Sequence, residues 1–408
     1  MRWLFWDDFA ARAAKFSRDE RRVAVIAAGA HALHDGYTDL IYIMLPLWQA
    51  EFGLTYAALG LLRGMFVGAM ASLQIPAGLL SERLGAAAVL ALGTSLAGLG
   101  YCLAGLSTGF AMLLGALAIG GLGASAQHPI ASALVARAFA GPRSLKALGT
   151  YNFAGDLGKM TLPAALSLML LAMPWRPALA ILGSVGLAMA ALIFLFAPRF
   201  DRGVARAPGE ARAGRDRPQQ PYAFALLLAV GILDSAARMG FLLFLPFVLT
   251  AKGANLQDVG LAMTLVFAGG AAGKLACAFI GARIGAIATV WLTEALTAAG
   301  IVALLPLPLP AALLLLPLIG IALNGTSSVL YGSVPDLVAA DRRTRALSIF
   351  YTGTIGSGAT APIVFGRAGD VLGVSHALLL VAAVALFTLP LAALLRPALA
   401  RRYGSGAA

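Results

Sequence analysis

The stretch LPLWQAEFGLTYAALGL at residues 45–61 is echoed by LPFVLTAKGANLQDVGL at residues 245–261, so that Pro46, Gly53, Gly60 and Leu61 face Pro246, Gly253, Gly260 and Leu261. Outward from this pair the same offset of 200 holds: Arg83, Gly85, Gly100, Ile119, Gly120, Tyr151 and Gly158 recur as Arg283, Gly285, Gly300, Ile319, Gly320, Tyr351 and Gly358. Small apolar residues coincide often by chance, whereas Pro, Tyr, Arg and loop glycines do so less. Two copies of one unit stand in tandem.

What that unit is made of follows from composition. Of 408 residues, 60% are apolar and 12% charged, and the mean hydropathy is +0.86. Soluble domains hold about 45–50% apolar and about 25% charged residues, so the solvent expected here is a bilayer. A helix needs about 20 apolar residues to cross it. Twelve stretches qualify, near residues 23–48, 56–80, 86–106, 110–136, 145–172, 177–197, 222–250, 256–281, 286–304, 308–334, 345–366 and 374–395. They are numbered here as spans 1 to 12. The expected fold is an all-α membrane protein of twelve transmembrane helices in two six-helix, pseudo-symmetric halves, residues 23–198 and 222–396. A basic, Gly- and Pro-rich linker at 199–221 joins them, with a short tail at 397–408. Residues 1–22 mix aromatic and basic side chains and read as an amphipathic helix on the headgroups rather than a cleaved signal.

Of the 30 Lys and Arg residues, 23 fall in the terminal segments and even-numbered loops or at the helix ends beside them, three (Arg176, Lys252, Arg367) in odd-numbered loops, and four within spans. The positive-inside rule then puts both termini in the cytoplasm, as for a bacterial inner-membrane protein. The net charge of +12 does not point to nucleic acid, because the cations lie scattered between apolar runs. Cys102 and Cys277 both fall inside apolar runs, which gives no disulfide framework. The longest loop is too short to fold as a signalling domain, and no Gly-x-Ser-x-Gly or His-Glu-x-x-His pattern supports a membrane-embedded enzyme.

After span 2 the chain reads Gly78-Leu79-Leu80-Ser81-Glu82-Arg83-Leu84-Gly85, with weaker echoes at Gly281-Ala282-Arg283-Ile284-Gly285 and at Gly366 to Gly373. This resembles the G-x-L-a-D-r-x-G loop of the major facilitator superfamily, with Ala86 and Ala87 where further bases usually stand. The resemblance implies alternating access, and a gating role for Gly78, Glu82, Arg83 and Gly85 as a breakable tie. Span 1 (His31-Ala32-Leu33-His34-Asp35, then Leu45-Pro46 and Glu51 to Thr55) and span 4 (Gly123 to Ser132, with His128-Pro129) look most like the fosmidomycin-resistance type of drug exporter. Ile130 stands where an acid is common in that type.

Ionisable side chains inside spans usually face a cavity or a partner. His31, Asp35 and Asp39 recur at i, i+4, i+8 on one face of span 1. Asp35 is the expected proton-coupling carboxyl, tuned by Asp39, His31 and His34, with a purely structural pairing as the alternative. Asp156 with Lys159, and Asp234 with Arg238, are spaced to pair within their own helices. Arg63 and Lys274 have no evident local acid, and Lys274 is expected to snorkel. Arg63, His128, Tyr151, Asn152, Asp156, Lys159, Asp234, Arg238 and Tyr351 are the expected substrate-binding set. Glu294 is assigned to packing, and Asn324 is a weaker candidate.

The expected function is proton-coupled antiport of a small anionic or zwitterionic compound by a monomer, with no cofactor and no resident metal. An uptake symporter for an organic anion stays open. So does a metal or metal chelate as cargo, given imidazoles and carboxylates at His31, His34, Asp35, Asp39 and His128, although no Cys-His cluster appears.

Overall fold

The computed structural model describes residues 17–139, 142–198, 221–339 and 342–400. The amphipathic segment before residue 17, the linker from 199 to 220 and the tail from 401 lie outside the described residues.

Span 1 is one helix, Arg18–Phe52, started by a capping box in which the Ser17 hydroxyl accepts from the Glu20 amide and the Glu20 carboxylate accepts from the Ser17 amide. It ends where Gly53 turns left-handed at φ 61°. Span 2 is a pair, Tyr56–Ser72 and Gln74–Leu84, bent by 44°. Span 3 is Ala86–Gly105; span 4 runs Phe110–Ala124, a π-helical turn Gln127–Ala131, and Ser132–Ala138. Pro142–Ala172 and Trp175–Phe196 are spans 5 and 6. The second half repeats the order as Pro221–Ala251, Leu256–Ile284, Ala286–Leu304, Leu309–Leu337, Arg343–Leu372 and Val374–Ala400.

Eight of these are long and apolar enough to cross a membrane, and the bent pair makes a ninth. The other three, spans 1, 5 and 11, are as long at 35, 31 and 30 residues. Their runs are interrupted by polar side chains, which is what a cavity wall requires of a helix in lipid. All twelve expected spans are thus present as helices.

The offset of 200 is visible in the backbone. Gly53 and Gly253 take φ of 61° and 90°, and Gly85 and Gly285 take 92° and 85°, conformations that only glycine adopts without strain. The same two turns therefore close the same two helix ends in each half.

Outward-facing Leu171, Leu195, Leu314 and Phe387 are well exposed, as a lipid-facing surface should be. Between the halves, helix contact depends on small residues, because lipid gives no hydrophobic drive for one helix to leave it. A Cβ at Gly60 would lie 2.1 Å from the Pro362 carbonyl oxygen, one at Gly64 2.3 Å from that of Ala359, and one at Gly366 2.3 Å from that of Tyr56. Spans 2 and 11 thus meet backbone to backbone. Spans 5 and 8 meet through side chains against backbone: Gly260 makes room for the Ser167 side chain, the Gln257 side-chain amide donates to the Ser167 carbonyl at 3.2 Å, and the Thr264 hydroxyl donates to that of Met160 at 3.0 Å.

All these contacts lie toward one end of the bundle, the far face, opposite the terminal face where the described chain starts at Ser17 and stops at Ala400. One buried apolar cluster crosses both halves there. Toward the terminal face it gives way to two separate clusters, one around Leu90, Leu134 and Tyr151, the other around Leu227, Val334 and Phe350. Gly149, near the terminal-side end of span 5, and Gly356, midway along span 11, face open space. The halves are joined at the far face and parted at the terminal face.

Candidate transport site

Span 1 presents His31, Asp35 and Asp39 on one face, each less than a tenth exposed. What they meet is decided by span 5, which lies against them without side chains at two points. A Cβ at Gly158 would be 1.8 Å from the Ala32 carbonyl oxygen, and one at Gly155 would be 2.6 Å from Asp35 Oδ2 and 2.8 Å from His31 Cε1. The carboxylate and imidazole occupy the room the missing side chains leave. This approach brings Lys159 Nζ to 3.5 Å from Asp35 Oδ2.

The other carboxylate oxygen faces imidazoles. Asp35 Oδ1 is 3.5 Å from His31 Nε2 and 3.9 Å from His34 Nε2. His31 Nδ1 lies 2.8 Å from the Tyr151 carbonyl oxygen, so this nitrogen carries the proton and donates, while the ring stacks on Tyr151 at 4.0 Å. His128 comes from span 4 at the π-helical turn, where Pro129 has no amide to continue the helix and the widened backbone re-aims the side chain. Its Nε2 is 3.3 Å from that of His34, and its ring meets His31 edge-on at 5.3 Å. Although mid-span, His128 is exposed, so it borders the open space between the halves.

The expected pairing of Asp156 with Lys159 is not formed. Lys159 turns to Asp35, and Asp156 instead bonds Lys274 of span 8 at 2.5 Å, joining the two halves. Helical spacing permits an i, i+3 pair, but these two side chains leave the helix toward different neighbours. Lys274 therefore does not snorkel. Arg63, which had no evident local acid, lies 3.7 Å from Asp39 and 4.9 Å above the Tyr42 ring, and is 2% exposed. Asp234 and Arg238 do pair as spaced, at 2.7 Å. Glu294, assigned to packing, is 2% exposed and reaches the Asp234 carboxyl from span 9, so it belongs to this ion-pair group.

Tyr151 joins the cluster through its ring and backbone. Asn152 is exposed, and Tyr351 is half exposed and tilted against Tyr331 at 4.5 Å, without touching the charged groups. Asn324 bonds back to the Gly320 carbonyl of its own helix at 3.3 Å.

Gly78, Glu82, Arg83 and Gly85 sit at the terminal face, where Glu82 and Arg83 are exposed and among the described residues form no ion pair. The tie between halves is made by the weaker echo at the other face. The Asp370 carboxylate of span 11 accepts the backbone amides of Tyr56 at 2.6 Å and Ala57 at 3.1 Å, capping the start of span 2. An anion there satisfies orphan amides and meets the positive end of the helix dipole.

Sequence reasoning missed Gly155, Glu294 and Asp370 as members of this machinery. Signals existed: a Gly-x-x-Gly pair around Asp156, a carboxylate in the middle of an apolar span, and an acid in a motif echo.

A model described as Major Facilitator Superfamily matches residues 27–229 and 227–405. No curated protein matches the sequence. Among solved structures, a bacterial homologue of the human lysosomal transporter Spinster, inward-facing and unoccupied, superposes with a TM-score of 0.78 at 15% identity, covering 96% of this chain and 100% of that one. A mutant of the nucleoside transporter NupG gives 0.76 at 14% identity over 93% of this chain and 99% of that one. The human organic anion transporter MFSD10 gives 0.64 at 18% identity, over 92% and 100%. At such identities the likeness concerns the fold, but the family match spans nearly the whole sequence: the chain belongs to the Major Facilitator Superfamily, whose members are membrane transporters of alternating-access fold and not enzymes.

Proposed function

We propose that this chain is a proton-coupled antiporter that exports a small zwitterionic compound, with Asp35 as the proton site and Lys159 as its exchangeable partner. One observation carries the reading: each cation inside the spans already faces a carboxylate. Lys159 faces Asp35, Arg63 faces Asp39, Lys274 faces Asp156, and Arg238 faces Asp234. A pure anion taking one of these cations would strand a carboxylate in low dielectric, which is strongly unfavourable. A zwitterion inserted between Asp35 and Lys159 leaves neither stranded: its cationic group meets Asp35 and its acidic group meets Lys159. At 3.5 Å the pair is loose, and Lys159 has 29% of its side chain exposed, so the substrate meets it from the open space.

The coupling sense follows. A proton on Asp35 removes the partner of the substrate's cationic group, so proton and substrate exclude one another, and exclusion at one site exposed to each face in turn is antiport. With 23 Lys and Arg residues against three marking the terminal face as cytoplasmic, the conformation described is inward-open. The resemblance of spans 1 and 4 to fosmidomycin-resistance exporters supports export as the direction.

An organic anion as cargo is the second reading, in which a proton on Asp35 frees Lys159 and proton and substrate move together. Purified protein in liposomes with an imposed pH gradient separates the two. Zwitterion flux against the proton flux supports antiport, and anion flux in the direction of the protons replaces it with symport. An Asp35→Asn protein whose transport still follows the gradient overturns both.

A further inference from the structure

We infer that His31, His34, His128 and Asp35 form a binding site for one borderline-soft divalent cation of the Zn2+, Ni2+ or Co2+ class. The inference goes beyond the transport reading and shares only Asp35 with it. Four ligand atoms converge from spans 1 and 4: His34 Nε2 to His128 Nε2 is 3.3 Å, His31 Nε2 to Asp35 Oδ1 is 3.5 Å, and His34 Nε2 to Asp35 Oδ1 is 3.9 Å. Ligand atoms of His31, Asp35 and His128 all lie within 4.8 Å of one another. Zinc bonds of about 2.0–2.1 Å in tetrahedral geometry separate neighbouring ligand atoms by about 3.3 Å. The His34–His128 edge is already at length, the edges among His31, Asp35 and His128 need to close by at most about 1.5 Å, and His34, whose ring lies 6.4 Å from that of His31, has to turn toward the other three.

The second observation is a buried nitrogen without a hydrogen bond, its polar neighbour Asp35 Oδ1 standing off at 3.5 Å. His31 is 3% exposed, its Nδ1 donates to the Tyr151 carbonyl, and its Nε2 is buried with no hydrogen-bond partner while aimed at the cluster. A backbone carbonyl that fixes the tautomer and turns the other nitrogen's lone pair inward is the usual outer partner of a metal-bound imidazole. The facing nitrogens of His34 and His128 share an N–H···N hydrogen bond at 3.3 Å, which a cation between them would replace once its proton leaves. Exposed His128 supplies an access path from the open space. Lys159 at 3.5 Å from Asp35 Oδ2 opposes an added positive charge, yet Oδ1 remains for the metal, and three neutral imidazoles with one carboxylate are a donor set that suits this class of ion.

The test uses tag-free full-length protein in detergent, titrated with Co2+, whose four-coordinate complexes absorb in the visible. The expected result is visible bands saturating at one Co2+ per chain and displaced by Zn2+. His31→Ala and His128→Ala should each weaken binding by about tenfold or more, while His376→Ala, on the remaining histidine, binds as the wild type does. Wild-type protein without stoichiometric bands, or His31→Ala and His128→Ala proteins that bind unchanged, overturns the site. The wild-type spectrum decides the matter even if a variant fails to fold. Because no gradient is present, a negative result leaves the antiport reading standing, and failure of coupled transport leaves the metal site standing.

Discussion

The two halves were built from one unit and have been used differently. Asp35, Asp156 and Lys159 in the first half stand where Ser235, Gly356 and Ala359 stand in the second, and His34 corresponds to Asp234. Packing diverged with chemistry. A Cβ on Gly158 would strike the Ala32 carbonyl at 1.8 Å, whereas at the equivalent Gly358 its nearest neighbour is Met239 at 3.7 Å. The first half clamps span 5 on span 1 and so holds a carboxylate, a lysine and three imidazoles together. The second keeps one compact acid–base group, Asp234, Arg238 and Glu294, and leaves Tyr351 half exposed. Symmetry of backbone thus carries asymmetry of chemistry: the first half gathers Asp35, Lys159 and three imidazoles, the second Asp234, Arg238 and Glu294.

The largest expected effect comes from breaking the comparison at Asp35. Asp35→Asn should abolish gradient-driven transport, while Ser235→Ala, which removes only a hydroxyl bonded to the Thr354 carbonyl at 2.8 Å, should keep most of it. Equal losses in a liposome assay would mean that the halves share the coupling.

Next comes Gly158→Ala against Gly358→Ala. Forcing spans 1 and 5 apart should destabilise the protein by about 1–3 kcal/mol, with the second substitution within about 0.5 kcal/mol of wild type. Thermal unfolding in detergent compares them, and equal melting temperatures would refute the clamp.

A smaller shift is expected at the ties. Asp370→Ala removes two charge-assisted bonds to the start of span 2 and should move the balance toward a far-face-open state by about 1.4 kcal/mol, roughly tenfold. Glu82→Ala should do the reverse, if its motif ties the terminal face in the alternate state. Distances between spin labels across each face read both, and a shift of the same sign in the two variants would dismiss the opposed-latch picture.

The smallest effect concerns the far-face loops. Glu51 receives the Trp175 indole N–H at 2.5 Å and Arg176 at 2.5 Å. Partial burial alone would raise its carboxyl, but Trp175 and Arg176 outweigh that and hold it below the ordinary carboxylate range. A carboxyl lowered on folding stabilises the fold above its unfolded pKa and loses that contribution as pH falls through the folded value. Both partners are about a third exposed or more, so the contribution stays below about 1 kcal/mol. Glu51→Gln should lower the melting temperature slightly at neutral pH and not in acid. The matching loop of the other half relies on Lys252 donating to the Leu305 and Leu307 carbonyls at 2.7 Å each. Lys252→Met should show no such acid dependence.

Much of this architecture can be read from the one-dimensional chain because membranes impose local rules. Apolar run length counts the helices, and Pro46 with Pro246 or Gly85 with Gly285 declares the duplication. The candidate site was legible as a set: His31, Asp35, Asp39, His128, Lys159 and Arg63 are conspicuous since few ionisable groups persist in lipid. Who pairs with whom was not, and the spacing of Asp156 and Lys159 pointed to the wrong partners.

Residue spacing alone settles which side chains share a helix face, because the rise and turn of a helix are constant. Only the packed bundle decides which two faces touch, since that depends on where glycines let backbones approach. Gly155 and Gly158 draw Lys159 to Asp35, Pro129 swings His128 toward span 1, and Asp370 reaches across to cap span 2. Each of these joins residues more than ninety positions apart, over distances that no periodicity in the chain records.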